Sequence, residues 1–152
     1  MSIPNWWQMR LNQEIYIKMK HLTEIDHIGY AVRDIEKTAQ LYINGGWTMS
    51  EVYEEMVQNT RIAFLYKPGM TTIELVSPRE GESPVDNILK NQGVAPYHIC
   101  YVVDDIMQTV EDLYDEGFKP LFMPVGSVAM NNRQICYLYH LDVGAIELVS
   151  RN

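Results

Sequence analysis

The chain has 152 residues, 47% of them apolar and 21% charged, and a formal net charge of −8. That length suits one compact domain with a real core, and the acidic balance argues against general binding to nucleic acid or anionic membranes, which favour a basic footprint. No segment nears the roughly 18 apolar residues of a membrane-spanning helix, the N-terminus lacks a signal-peptide pattern, and Cys100 and Cys136 lie in apolar strand-like runs; a cytoplasmic protein with free, buried thiols is expected.

Residues 1–22 read as an N-terminal extension. Their Trp6, Trp7, Leu11, Ile15, Ile17 and Met19 make them too apolar for a free tail, and packing on the domain or on a second subunit is expected. A first module spans 23–78. Ile25 to Arg33 alternates like a half-buried strand, with Ile28, Tyr30 and Val32 against His27, Gly29 and Ala31. Asp34 is the predicted N-cap of a helix with the stripe Ile35, Ala39, Tyr42, ended by Gly45-Gly46. Strands are predicted over Thr48–Met56, Arg61–Tyr66 and Thr71–Val76, with Lys67-Pro68-Gly69 turning between the last two.

A linker over 79–95 carries a short helix, with Ser83 as N-cap, Pro84 at the first position and Gly93 as terminator. The second module, 96–150, repeats the grammar of the first. Its strand is His98–Val103, and Asp105 caps a helix with the stripe Ile106, Val110, Leu113, closed by Gly117. Strands over Pro120–Met123, Gln134–Tyr139 and Ala145–Val149 complete it.

The repeat extends to the letters. Asp26-His27-Ile28-Gly29 is echoed by Tyr97-His98-Ile99-Cys100 at an offset of 71 (98 − 27), and Ile73-Glu74-Leu75-Val76-Ser77 recurs unchanged as Ile146-Glu147-Leu148-Val149-Ser150 at an offset of 73 (147 − 74). Each βαβββ copy is too small to bury both of its faces. Two paired βαβββ modules are therefore expected to form one α+β domain over 23–152, with a curved, largely antiparallel eight-stranded sheet around a metal site.

The metal expectation comes from strand parity. Alternate residues point to opposite faces, so His27, Glu74, His98 and Glu147 all lie opposite the apolar residues that face the helices. A lone strand histidine is ordinarily structural, and His21 and His140 are read that way. Two copies keeping the same His and Glu positions form a quartet instead. Two imidazoles and two carboxylates suit Co²⁺, Ni²⁺, Mn²⁺ or Fe²⁺ with open positions, and tolerate Zn²⁺. Arg61 and Arg133 are candidate cations for an anionic substrate group, and Phe64 and Tyr137 are candidate pocket walls.

The strand His in Asp-His-Ile-Gly, the paired Ile-Glu-Leu strands and the duplicated grammar resemble the vicinal oxygen chelate (glyoxalase/bleomycin resistance/dioxygenase) superfamily from about residue 24 onward. Within it, Glu82-Ser83-Pro84-Val85, Tyr97-His98-Ile99 and Val103-Asp104-Asp105-Ile106 are similar to the methylmalonyl-CoA epimerase family. The resemblance implies an isomerase acting on a small acyl thioester as a homodimer. It also implies metal ligation by His27, Glu74, His98 and Glu147, with Glu147 as a base; Glu74, its partner in the repeat, is the candidate second carboxylate. A glyoxalase I-type lyase and a non-catalytic drug-binding protein of the same fold stand as alternatives. Where some epimerases carry a further carboxylate base near Ile62, this strand is apolar, so none is expected there.

Overall fold

The computed structural model describes residues 21–152. The first half contributes β1 (Ile25–Ala31), α1 (Ile35–Asn44), β2 (Thr48–Met49), β3 (Tyr53–Glu55), β4 (Thr60–Tyr66) and β5 (Thr72–Pro78). A connecting helix, α2 (Pro84–Gln92), leads to β6 (Ala95–Val103), α3 (Ile106–Asp115), β7 (Lys119–Pro120), β8 (Val125–Gly126), a 3-10 turn at Val128–Met130, β9 (Gln134–His140) and β10 (Gly144–Ser150).

Among the described residues, all ten strands belong to one sheet of order β2-β4-β5-β1-β6-β10-β9-β7, with β3 added on β4 and β8 on β9. The halves meet antiparallel through β1 and β6. Only β1 with β5 and β6 with β10 run parallel, so the sheet is largely antiparallel as expected. Among the described residues it has ten strands rather than eight, because the expected strand Thr48–Met56 is divided in the first half, and in the second the expected Pro120–Met123 gives way to two short strands, the later lying beyond its expected end. At Ser50 the hydroxyl accepts the Phe64 N–H at 2.9 Å in place of a backbone carbonyl, which separates β2 from β3. Around Pro124, which has no N–H to donate, β7 gives way to β8.

The helix starts behave as their sequences imply. Asp34 accepts from the Lys37 N–H at 2.9 Å and Asp105 from the Gln108 N–H at 3.0 Å, while Ser83 and Asp86 close a reciprocal capping box around Pro84. Each such cap contributes about 1 kcal/mol.

The sheet's two faces have different tasks. On one, Val32, Ala63, Leu65 and Leu75 pack with Ile35 and Ala39 of α1, and Leu138, Ile146 and Leu148 pack with Ile106, Val110 and Leu113 of α3. On the other, one cluster runs across both halves, including Ala31, Ile62, Phe64, Val102, Tyr137 and Val149, covered by Val85 of α2. The sheet curves around this inner face until its halves touch, where the Ser127 hydroxyl donates to Glu55 Oε2 at 3.2 Å.

Residues 1–20 of the expected N-terminal extension lie outside the described residues. At its end, His21 Nε2 meets Asp112 Oδ2 of α3 at 3.0 Å and Leu22 packs on the cluster beneath that helix. Cys100 and Cys136 are free and buried. Among the described residues, no helix is long and apolar enough to cross a membrane.

Candidate metal centre

β1, β5, β6 and β10 lie side by side in the middle of the sheet, and each places one polar side chain on the inner face. His27 comes from β1, Glu74 from β5, His98 from β6 and Glu147 from β10; all four are buried, and all belong to one chain. Across the β1–β6 ladder His98 is opposite Gly29. A Cβ on Gly29 would overlap the His98 imidazole, so glycine there makes room for the second ring.

The four ligand atoms converge. His27 Nε2 lies 3.2 Å from Glu74 Oε2 and 3.0 Å from Glu147 Oε2, and His98 Nε2 lies 3.2 and 3.1 Å from the same oxygens. The two Nε2 atoms are 3.2 Å apart. With metal–ligand bonds of about 2.1 Å, neighbouring donors of an octahedron sit about 3.0 Å apart and those of a tetrahedron about 3.4 Å apart. The five separations fall at or near the octahedral edge. Glu74 Oε2 and Glu147 Oε2 are also buried without a hydrogen-bond partner, although each faces two ring nitrogens. These atoms surround a common point instead of bonding one another, and the donor set fits a divalent cation.

Electrostatics agree with that arrangement. Burial works to raise the Glu74 carboxyl, yet the facing imidazoles of His27 and His98 hold it below the usual carboxylate range. Glu147 is lowered by the same neighbours, again against burial. Burial works to depress His27, but the Glu74 charge, Asp26 and Glu147 carry it well above an ordinary histidine. His98 is raised against burial by both glutamates. Each carboxylate and each imidazole thus offsets the burial cost of the groups it faces, the condition under which charge can be buried at all.

Beside the cluster lies a cavity of about 430 Å³, mostly apolar, whose walls include Thr60, Val85, Ile88, Tyr97, Phe122 and Tyr137. Tyr97 and Tyr137 contact the His98 ring at centroid distances of 4.5 and 5.1 Å, and Tyr137 Oη is 3.5 Å from His98 Nε2. Burial, followed by the nearby glutamate charges, pushes both phenols well above their usual range, so they stand as neutral hydrogen-bond donors. A smaller cavity of about 220 Å³ is bounded by Asp26, Phe64, Tyr66, Thr72, Met130 and Arg133.

The expected substrate residues divide. Phe64 packs edge-on to His27 at 5.6 Å and Tyr137 touches His98, so both stand at the centre. Arg61 does not. Strand parity groups it with Ala63 and Leu65 on the α1 side, where it pairs with Glu36 Oε1 at 2.7 Å and Glu54 Oε1 at 3.3 Å; its expected role as a substrate cation is corrected. Arg133 reaches Asp26 Oδ1 at 3.4 Å. His140 accepts from the Asp142 N–H at 3.0 Å and stacks on Phe118, a structural role as expected.

Sequence reasoning missed Glu55. This carboxylate is buried, accepts from the Ser127 hydroxyl and from the Val57 N–H at 3.3 Å, and pairs across the ladder with cavity-lining Thr60. The expectation of no further carboxylate near Ile62 overlooked the neighbouring strand, where Tyr53 pairs with Ile62 and Glu55, two residues on, shares its face. The available signal was the alternation of Tyr53 and Glu55, hidden among Glu51 and Glu54.

A curved sheet built from two βαβββ halves, with two His and two Glu that could hold a metal ion meeting at its centre, defines a class of protein built by duplication. The model of the Glyoxalase/Bleomycin resistance protein/Dioxygenase superfamily matches residues 26–137. Human mitochondrial methylmalonyl-CoA epimerase is 30% identical over 128 residues, 83% of this chain and 72% of that protein. A Streptomyces coelicolor methylmalonyl-CoA epimerase variant in complex with 2-nitronate-propionyl-CoA superposes with a TM-score of 0.73 at 27% identity, over 85% of this chain and 97% of that one. The Mycobacterium tuberculosis methylmalonyl-CoA epimerase has the same fold, with a TM-score of 0.77 at 24% identity over 87% and 90% of the two chains. The chain belongs to the glyoxalase/bleomycin resistance/dioxygenase superfamily and, within it, to the methylmalonyl-CoA epimerase family.

Proposed function

We propose that this protein is a metal-dependent epimerase that removes and returns the proton alpha to the carbonyl of a small acyl-CoA thioester, methylmalonyl-CoA by likeness to its relatives. The observation that carries this reading is the convergence of four buried ligand atoms at 3.0–3.2 Å beside an apolar cavity. His27, Glu74, His98 and Glu147 would hold the cation, one of Co²⁺, Ni²⁺, Mn²⁺, Fe²⁺ or Zn²⁺. When bound, it supplies Lewis-acid stabilisation of the enolate charge, contributing several kcal/mol.

The chain's own groups perform the proton transfers. Glu147 is the proposed base, with the Tyr137 phenol beside it across the β9–β10 ladder. Epimerisation needs a proton returned to the opposite face, so a second carboxylate is required. Glu74 was the sequence-based choice. Glu55 is better suited, because the Glu74 Oε2 is committed to the same two imidazoles as Glu147, whereas Glu55 is held outside that cluster by Ser127 and the Val57 N–H, next to cavity-lining Thr60 across its ladder. Tyr97, partly buried, and Tyr137, buried, are both neutral and supply hydrogen bonds to substrate oxygens. Residues 23–152 act as one catalytic unit, in a cytoplasmic, reducing setting consistent with two free thiols, and as a homodimer with a complete ligand set in each subunit.

The test is metal analysis of the purified protein, followed by NMR of α-proton exchange in D₂O with methylmalonyl-CoA. Stoichiometric metal and metal-dependent exchange are expected. Turnover of a glutathione hemithioacetal without exchange into the acyl-CoA would replace this reading with a glyoxalase I-type lyase. A protein that binds no metal would be the non-catalytic binding form of the fold.

A further inference from the structure

We infer that Asp26 and Arg133 are a positioning pair that fixes the tautomer of His27, making the two imidazoles of the metal centre unequal ligands. The inference rests on the metal reading above and goes beyond it, to residues outside the ligand set.

Asp26 Oδ2 lies 2.8 Å from His27 Nδ1. An ionised carboxylate can only accept a hydrogen bond, so Nδ1 carries a proton and Nε2, which faces the other three candidate ligands, is the position left to a cation. The carboxylate's second oxygen is also assigned. Arg133 Nη2 contacts Asp26 Oδ1 at 3.4 Å, while its Nε donates to the Met130 carbonyl at 3.2 Å and its Nη1 to the Ser150 carbonyl at 3.5 Å. A guanidinium has donors only, and three anchors keep this one from turning away. Arg133 belongs to the second half of the chain and reaches a residue 107 positions earlier, so the link also ties the halves together at the centre.

The equivalent position in the second half is Tyr97, 71 residues on from Asp26 (97 − 26). His98 Nδ1 is buried with no hydrogen-bond partner. Its ring is held by aromatic edges, from Tyr97 at 4.5 Å, Tyr137 at 5.1 Å and His27 at 5.4 Å. Those contacts fix the ring plane and carry no preference for which nitrogen bears the proton. His27 is therefore the preset ligand, and His98 is the one that must adopt its tautomer when the cation enters.

Cobalt titration calorimetry on the full-length, metal-stripped protein tests the pair. Asp26→Ala is expected to weaken Co²⁺ binding 10- to 100-fold, the usual cost of losing a ligand's hydrogen-bonded support, whereas Tyr97→Phe stays within about twofold of wild type. Asp26→Asn should be worse than Asp26→Ala. Arg133 claims the amide oxygen, so the NH₂ group faces His27 Nδ1 and forces the proton onto Nε2, where it blocks the cation. Adding Arg133→Ala lets that amide turn over and should restore binding at least to the Asp26→Ala level. A merely structural role would not produce this order or its reversal. If Asp26→Asn unfolds, ¹⁵N shifts of His27 recorded at alkaline pH in the metal-free wild type and in Asp26→Ala read the tautomer directly; the Nδ1–H form is expected in wild type and a mixture in the variant. Wild-type cobalt binding with Asp26→Ala and Asp26→Asn equally tight overturns the pair and leaves the metal reading standing. Wild type that binds no cobalt overturns both.

Discussion

The two halves of the sheet offer the same ligands from different surroundings. In the first, His27 has a carboxylate behind it and Glu74 is opposite Phe64 across its ladder. In the second, His98 lies against a phenol and Glu147 is opposite Tyr137. Gly29 in the first half corresponds to Cys100 in the second (100 − 29 = 71), and only the glycine gives way to an incoming imidazole. A cation's first requirement is donors at the right distance, which a near-twofold arrangement supplies. The acyl thioester of an epimerase has two different ends and a stereogenic α-carbon, so the groups that meet it must differ. The duplicated frame is near-symmetric in the donor atoms it would offer an ion and asymmetric in the groups that surround them.

The largest effect should come from the glutamates. Glu147→Gln is expected to lower kcat by about 10²- to 10⁴-fold, the range for loss of a general base, with cobalt retained because an amide oxygen still ligates. Glu74→Gln should cost less than about tenfold by the same reasoning. Equal losses in the two variants, measured by NMR exchange, would break the asymmetric reading of the halves.

The next effect is steric. Gly29→Ala drives a methyl group into the His98 ring, and calorimetry should show cobalt affinity falling by roughly 100-fold or more, at the upper end for disturbed ligand support. Cys100→Ala, its counterpart, removes a thiol that touches His27 but puts nothing into the ligand shell, and should cost less than about tenfold on the same scale.

A smaller difference is expected between the facing aromatics. Tyr137→Phe removes a phenol 3.5 Å from His98 Nε2, and steady-state kinetics should show kcat falling about three- to tenfold, in keeping with one hydrogen bond of about 1 kcal/mol. Phe64→Tyr, the reverse exchange, should add nothing comparable.

The caps sharpen the comparison from the symmetric side. Asp34→Ala and Asp105→Ala should each cost about 1 kcal/mol in denaturant unfolding and leave kcat unchanged. A marked inequality between them would show that the asymmetry reaches the helices.

Much of the centre was legible before any coordinates, and for a local reason. His27 and His98 stand in matching strands, the two Ile-Glu-Leu-Val-Ser strands are identical, and parity alone puts all four side chains on one face. The same parity could have removed Arg61, since it alternates with Ile62 and Phe64 and falls with Ala63 and Leu65. Asp26 was adjacent to a candidate ligand and was passed over because its partner, Arg133, has no neighbour in sequence that announces it. Glu55 was hidden differently. Its value lies in the Ser127 hydroxyl, 72 residues away, which reaches it only because the sheet curls edge towards edge.

The sequence by itself determined the duplicated βαβββ halves, the capped helices, the inner and outer faces of each strand and the positions of the four candidate ligands, because periodicity, capping and repetition are properties of short stretches of chain. Tertiary structure alone decided that the four ligand atoms lie 3.0–3.2 Å from one another within a single chain, that Arg133 supports Asp26 while Arg61 faces away, and that Glu55 is closed in beside the cavity. Those outcomes depend on how two sheet halves curve around a shared core, and such curvature is a sum over many distant contacts that no single stretch of sequence encodes.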